Sequence, residues 1–275
     1  MPWIIGFFVL TLGPMLFSLF LSFTKWDMIT NIEMVGFDNF ITIFQTSDFY
    51  KSLAATFIWI CFLPIGIILA LFLANILNQN IKLKTLFRTI IYLPVIVPAV
   101  VYNLLWLWLF NPDYGMLNMI LGSFGIEKVS WLLSDKTVMI SLIIMSLWQV
   151  GGNVIIFLAA LQGVPVDIQE AAEMDGANGW TKYFHITLPM ISPILLFQLV
   201  MGIIGGLQVF TPAQLMTAGG PNGRTLFFVY YIYREAFVKY NMGYASALSW
   251  VLFAIILVLV LIVFKVSRKK VFYVS

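Results

Sequence analysis

Long runs of apolar residues alternate with short polar interludes along this chain. Six stretches, near 3–24, 53–77, 90–110, 137–163, 189–210 and 245–264, carry no charged side chain. Each can cross about 30 Å of hydrocarbon at roughly 1.5 Å per residue. The pattern predicts an all-α integral membrane protein with six transmembrane helices. Residues 1–275 read as a single transmembrane domain, without low-complexity segments or a soluble appendage. The first stretch begins almost at Met1, with no basic flank and no small-residue cleavage site. It reads as a retained helix rather than a signal peptide.

Composition sharpens the class. The chain is 61% hydrophobic and 10% charged, where a soluble domain carries about 25% charged residues. Its 15 basic and 12 acidic residues all fall outside the six stretches. This segregation follows from a cost of about 2.5–3.5 kcal/mol for a charge at a span centre. Lys82, Lys84 and Arg88 occupy the 78–89 loop without an acid, and Lys265, Arg268, Lys269 and Lys270 the C-terminal tail. Basic residues near span ends mark the cytoplasmic side, so both termini and the 164–188 loop are expected there. The count over all loops separates the sides weakly, eight basic residues against seven. Segments 25–52, 111–136 and 211–240 then face outward as compact loops with turns at Asn111-Pro112-Asp113 and Gly219-Gly220-Pro221-Asn222-Gly223. Cys61 is the only cysteine, so no internal disulfide can form.

The charge-free spans narrow the function. Ionisable residues inside spans mark proton relays and voltage sensors, and these spans hold none. No phosphate-binding G-x-x-x-x-G-K-[ST] loop is present. Uphill transport would therefore draw its energy from another polypeptide.

The 164–188 loop is where such a polypeptide would push. Asp167 followed by Glu170 reads as a capping box that starts a helix at Ile168. Ile168, Ala171, Ala172 and Asp175 fall at i, i+3, i+4, i+7 and share one face. The two alanines would leave a shallow surface for close approach. Gly176 suits a left-handed helix stop. Asn178 can cap a second helix carrying Trp180 and Phe184, which must break near Pro189. Two short helices meeting at a glycine make an elbow between the fourth and fifth spans.

Glu170-Ala171-Ala172-x-x-Asp175-Gly176-Ala177, then Phe184, Ile186, Leu188 and Pro189, resembles the EAA loop of bacterial binding-protein-dependent ABC importer membrane subunits (type I permeases). The spacing is similar to the carbohydrate branch, which includes the maltose-transporter large membrane subunit and glycerol-phosphate permeases. Leu93-Pro94-x-x-x-Pro98, Trp148 through Gly152, Leu158-Ala159-Ala160-Leu161-Gln162, Gly219-Gly220-Pro221 and Gly243-Tyr244-Ala245 also resemble that branch. The resemblance implies that Glu170, Ala171, Ala172, Asp175, Gly176 and Ala177 form a coupling helix seated on a cytoplasmic ATPase. It also implies a second related permease, two ATPase copies, an external solute-binding protein, and a bacterial cytoplasmic (inner) membrane. This chain would bind no cofactor and catalyse nothing, ATP and Mg belonging to the ATPase. No nucleic acid is implied.

A polar solute needs donors and acceptors at midplane depth. Asn103, Trp148, Gln149, Asn153, Gln162 and Gln208 are candidates, with helix–helix hydrogen bonding as the alternative use of the amides. Gln149 and Asn153 are four apart on one face. Gly151 and Gly152 beside them permit either close helix approach or a kink. Carried over from the family, the sugar-contacting positions are Val95, Ala99, Ser146, Gln149, Val150, Asn153, Gly202, Gly205, Gly206 and Val209. Only Ser146, Gln149 and Asn153 keep strong polarity. The expected cargo is a sugar or oligosaccharide. Alternatives are glycerol phosphate through the same machinery, a self-sufficient secondary transporter or channel, and a membrane scaffold.

Overall fold

A computed structural model describes residues 2–268 and Val271. Lys269 and Lys270, part of the basic tail, lie outside the described residues. Among the described residues, three helices are individually long and apolar enough to cross a membrane: α1 (Pro2–Leu21), α3 (Ser47–Asn78) and, last in the chain, α13 (Met242–Ser267). Three further helix pairs meet the same test only when each pair is counted as one bent span. They are α4 (Lys84–Ile96) with α5 (Ala99–Leu109), α7 (Val138–Leu147) with α8 (Gly151–Gln162), and α10 (Gly179–Met190) with α11 (Ser192–Leu207). Up to six spans result, with the expected third, fourth and fifth spans bent rather than continuous.

Backbone chemistry explains the bends. The 97° bend between α4 and α5 falls at Val97-Pro98. Proline disfavours helical backbone in the residue before it, and Val97 is extended at φ −68°, ψ 125°. Pro94 is tolerated within α4, two residues from its end. The second elbow helix runs past Pro189, and its 64° bend to α11 centres on Ile191. Pro189 directly follows a wide π-helical turn at Tyr183–Thr187 within α10, the kind of local adjustment that accommodates a proline inside a membrane helix. Pro193 stands at the second position of α11, so the break falls between the two prolines.

By internal contacts the chain forms two units, Met1–Ile58 with Leu207–Val258, and Trp59–Gly206 with Leu259–Ser275. In the second, α8 packs along the end of α3 and along α4. Ala70, Ala74, Leu77, Val154, Phe157, Leu158, Leu161, Val164 and Ile191 form its buried core. Gly151 permits the closest approach. A Cβ there would lie 2.1 Å from the Ile91 carbonyl oxygen, so only glycine lets α8 touch the α4 backbone. Small residues at helix crossings are the membrane route to dispersion contact when lipid is as apolar as leucine. Gly151 also opens α8 directly after the 46° bend from α7. It thus serves close packing at the place where the span turns.

In the first unit, β1 (Thr24–Lys25) pairs antiparallel with β2 (Glu33–Met34), Thr24 opposite Met34. Nδ2 of Asn39, on α2 (Asp38–Gln45), donates to the Ser22 and Thr24 carbonyls at 2.9 and 2.8 Å. The Phe228 N–H, at the start of α12 (Phe228–Tyr233), donates to Thr56 Oγ1 at 2.9 Å. In the 111–136 segment, which carries α6 (Met116–Ser123), Asn118 is 5% exposed. Its Nδ2 donates to the Pro112 and Val129 carbonyls, and its Oδ1 accepts from Val129 N–H and Trp131 Nε1–H. The interspan segments expected as loops thus carry short helices and a strand pair.

Candidate functional site

The elbow begins two residues earlier than its sequence suggested. Helix α9 spans Val166–Met174, with Pro165 at its N-cap and no side-chain cap. Pro165 holds an extended backbone (φ −57°, ψ 134°) that breaks the chain before Val166. Asp167 therefore lies inside the first turn, where its charge complements the helix N-terminus, and the Asp167–Glu170 capping box does not form. The stop is as predicted. Gly176 sits at φ +82°, a left-handed geometry that glycine adopts without a Cβ clash. Gly176 N–H donates to Glu173 O at 3.0 Å and Ala177 N–H to Ala172 O at 2.9 Å, the paired bonds of a Schellman closure.

The second helix is capped by Asn178, whose Oδ1 accepts from Thr181 N–H at 2.9 Å and from Thr181 Oγ1 at 3.0 Å. Trp180 and Phe184 stack at 5.6 Å with planes 5° apart. A salt bridge between Lys182 and Glu173 ties the second helix to the first; sequence reading missed it because the residues are nine apart across a turn. Glu170, Ala171 and Asp175 are exposed, and Ala177 is half-buried. Ala172 is 8% exposed, so the two alanines do not share one open face: Ala171 presents outward and Ala172 packs inward. Met174 and Trp180 are 89% and 76% exposed, a large apolar surface at the tip of an acidic element.

Among the intramembrane amides, Asn153 Oδ1 accepts from Gln198 Nε2 at 2.8 Å. Gln198, buried on α11, was not among the expected residues; as an amide within a charge-free span it carried the same signal as Asn153. Gln149 is half-buried. Ser146 Oγ donates to Ile143 O at 2.7 Å on its own helix and keeps acceptor capacity. Asn103 is buried; its Nδ2 donates to the Ala99 carbonyl of its own helix at 2.7 Å, and its Oδ1 is buried without a hydrogen-bond partner among the described residues. Trp148 stacks on Tyr102 at 5.8 Å. Gln162 and Gln208 are exposed.

The glycines divide. A Cβ on Gly202 would meet Leu63 at 2.6 Å and one on Gly206 would meet Ile60 at 3.2 Å, whereas one on Gly205 would meet nothing within 4 Å. Gly202 and Gly206 therefore pack against α3, and Gly205 faces open space beside exposed Phe197 and Met201 on α11. Val95 is half-buried with Cγ1 against Gly152, Ala99 is exposed, and Val209 is half-buried. The first unit holds a separate polar recess of about 620 Å³ lined in part by Trp26, Asn31, Tyr231 and Tyr244. Glu235, 4% exposed, pairs there with Lys239 at 2.5 Å.

Bent apolar helices with a capped, apolar-tipped elbow between two of them define a polytopic membrane protein. Residues 62–271 match the family described as binding-protein-dependent transport system inner membrane component. The chain belongs to that family: it is the permease subunit of an ABC importer, a multi-pass membrane protein and not an enzyme. It is 40% identical to the probable ABC transporter permease protein YesP of Bacillus subtilis (strain 168), covering 100% of this chain and 90% of that protein. It is 34% identical to the sn-glycerol-3-phosphate transport system permease protein UgpA of Yersinia pestis, covering 88% and 82%. To the arabinooligosaccharides transport system permease protein AraP of Halalkalibacterium halodurans the identity is 31%, covering 94% and 83%. A solved structure of a bacterial alginate ABC transporter, in complex with alginate pentasaccharide-bound periplasmic protein, matches with TM-score 0.86 at 26% identity. That match covers 98% of this chain and 92% of that one.

Proposed function

We propose that this permease conducts a sugar or oligosaccharide and is driven through its elbow by a cytoplasmic ATPase. The observation that carries the reading is the elbow itself. Its turn is closed at Gly176, its second helix is capped by Asn178, and the tip keeps Glu170, Ala171, Met174 and Trp180 exposed on this chain. A rigid element joined to a span at each end converts a push at its tip into rotation of those spans. The full machine comprises a second related permease, two ATPase copies that hold ATP and Mg, and an external binding protein. Basic residues of the 78–89 loop and tail support cytoplasmic termini and a cytoplasmic elbow in a bacterial cytoplasmic membrane.

The solute path runs past Gln149, the Asn153–Gln198 pair and the open face at Gly205, with Ser146, Val95 and Ala99 along it. Gly206 packs against α3 and drops from the lining. Few polar groups on this subunit fit a wide cavity in which the binding protein sets selectivity. Similarity to AraP and to the alginate transporter favours a saccharide; similarity to UgpA favours glycerol phosphate as the second reading. Proteoliposomes holding the assembled transporter distinguish them by uptake of labelled oligosaccharide against labelled glycerol phosphate. Gln149→Ala with Asn153→Ala should lower saccharide uptake while ATP hydrolysis persists. Unchanged uptake in that double variant would remove the path from these residues.

A further inference from the structure

Arg88 is the one arginine on α4, and its surroundings have no role in the reading above. Lys84 lies one turn before it and Lys82 just ahead of the helix, and neither α4, α8 nor the 78–89 loop carries an acid. Arg88 Nε is buried and has no hydrogen-bond partner among the described residues. Beside it opens a recess of about 350 Å³ walled by Arg88, Thr89, Tyr92, Leu93, Ile96 and Ile155 of α8. Past Tyr92 the wall is hydrocarbon, and Leu93 and Ile96 are 56% and 69% exposed. One end therefore offers a guanidinium whose buried Nε lacks a partner, and the other a surface for alkyl chains.

We propose that this recess binds an anionic phospholipid, its phosphate on Arg88 and its acyl chain along Leu93, Ile96 and Ile155. Guanidinium geometry matches phosphate oxygens bidentately. Basic pockets between membrane helices attract anionic head groups. The surrounding bilayer supplies this amphiphile at high local concentration. A soluble sugar acid fits poorly, because the wall has too few polar groups to replace the hydration of its hydroxyls. Thr89 already donates to the Thr85 carbonyl at 3.0 Å.

The test uses the whole transporter in phosphatidylcholine nanodiscs doped with a diazirine-tailed phosphatidylglycerol. Matched discs carry a diazirine-tailed phosphatidylcholine. Mass spectrometry locates the label after photolysis. The phosphatidylglycerol probe should label Leu93, Ile96 or Ile155 roughly fivefold more than the phosphatidylcholine probe. Arg88→Gln should bring that ratio towards one, while Arg88→Lys, which keeps the charge but not the fork, should fall between the two. Equal labelling by both probes in the unaltered transporter overturns the proposal, whether or not the variants assemble. Loss of phosphatidylglycerol labelling on adding a soluble uronate oligosaccharide also overturns it, by giving the recess to a solute.

Discussion

At the scale of single residues, the chemistry legible in the sequence is the chemistry that acts locally. Gly176 and Asn178 were readable because a left-handed stop and a helix cap depend on one side chain and its own backbone. Asp167 was misread because Pro165, two residues upstream, had already ended the extended segment and taken the cap position. Gln198 and the division among Gly202, Gly205 and Gly206 depend on the neighbouring helix, which sequence periodicity does not contain. Two predictions belong here. Gln198→Leu leaves Asn153 Oδ1 without its donor, and should cost about 0.6–1.7 kcal/mol, read as lowered thermal stability of the purified transporter. Asp27 accepts from Thr30 N–H first, then from Thr30 Oγ1 and Ile29 N–H, which hold its carboxyl down at about 2. A depressed carboxyl stabilises the turn fully above its unfolded value, about 3.9, and loses that contribution as pH falls through about 2. A carbon-13 titration of Asp27 should therefore stay flat down to pH 4; a midpoint near 4 would contradict these bonds.

At the scale of elements, hydropathy located the six apolar stretches and was silent on their bends. An average over a window cannot sense a break in backbone hydrogen bonding, although Pro98, Pro189 and Pro193 were all visible. The elbow's stiffness rests on its two turns. Asn178→Ala should cost the second helix about 1 kcal/mol. Gly176→Ala forces an L-residue into left-handed backbone, at about 1–2 kcal/mol. Hydrogen exchange over 166–190 should quicken in both variants and remain unchanged over 63–78. Gly151→Ala acts differently. A methyl 2.1 Å from the Ile91 carbonyl must push α8 from α4, at a cost of about 1–3 kcal/mol or more. Its signature is a drop in whole-transporter melting temperature with no change in elbow exchange.

At the scale of the whole molecule, the described chain has spans without ionisable residues between the expected boundaries and an elbow whose apolar tip its own fold leaves uncovered. The proposed function follows from both: an energy source outside the chain, entering at the elbow. Coupling energies of about 1–3 kcal/mol, or about 5- to 150-fold, are typical between linked sites. The most direct measurement records ATP hydrolysis and solute uptake together, in proteoliposomes of the complete transporter with loaded binding protein. Glu170→Lys combined with Gly176→Ala should leave basal hydrolysis running while uptake and its stimulation of hydrolysis fall within that range. Uptake at the unaltered rate, with stimulation intact, would contradict entry of the driving force through the elbow.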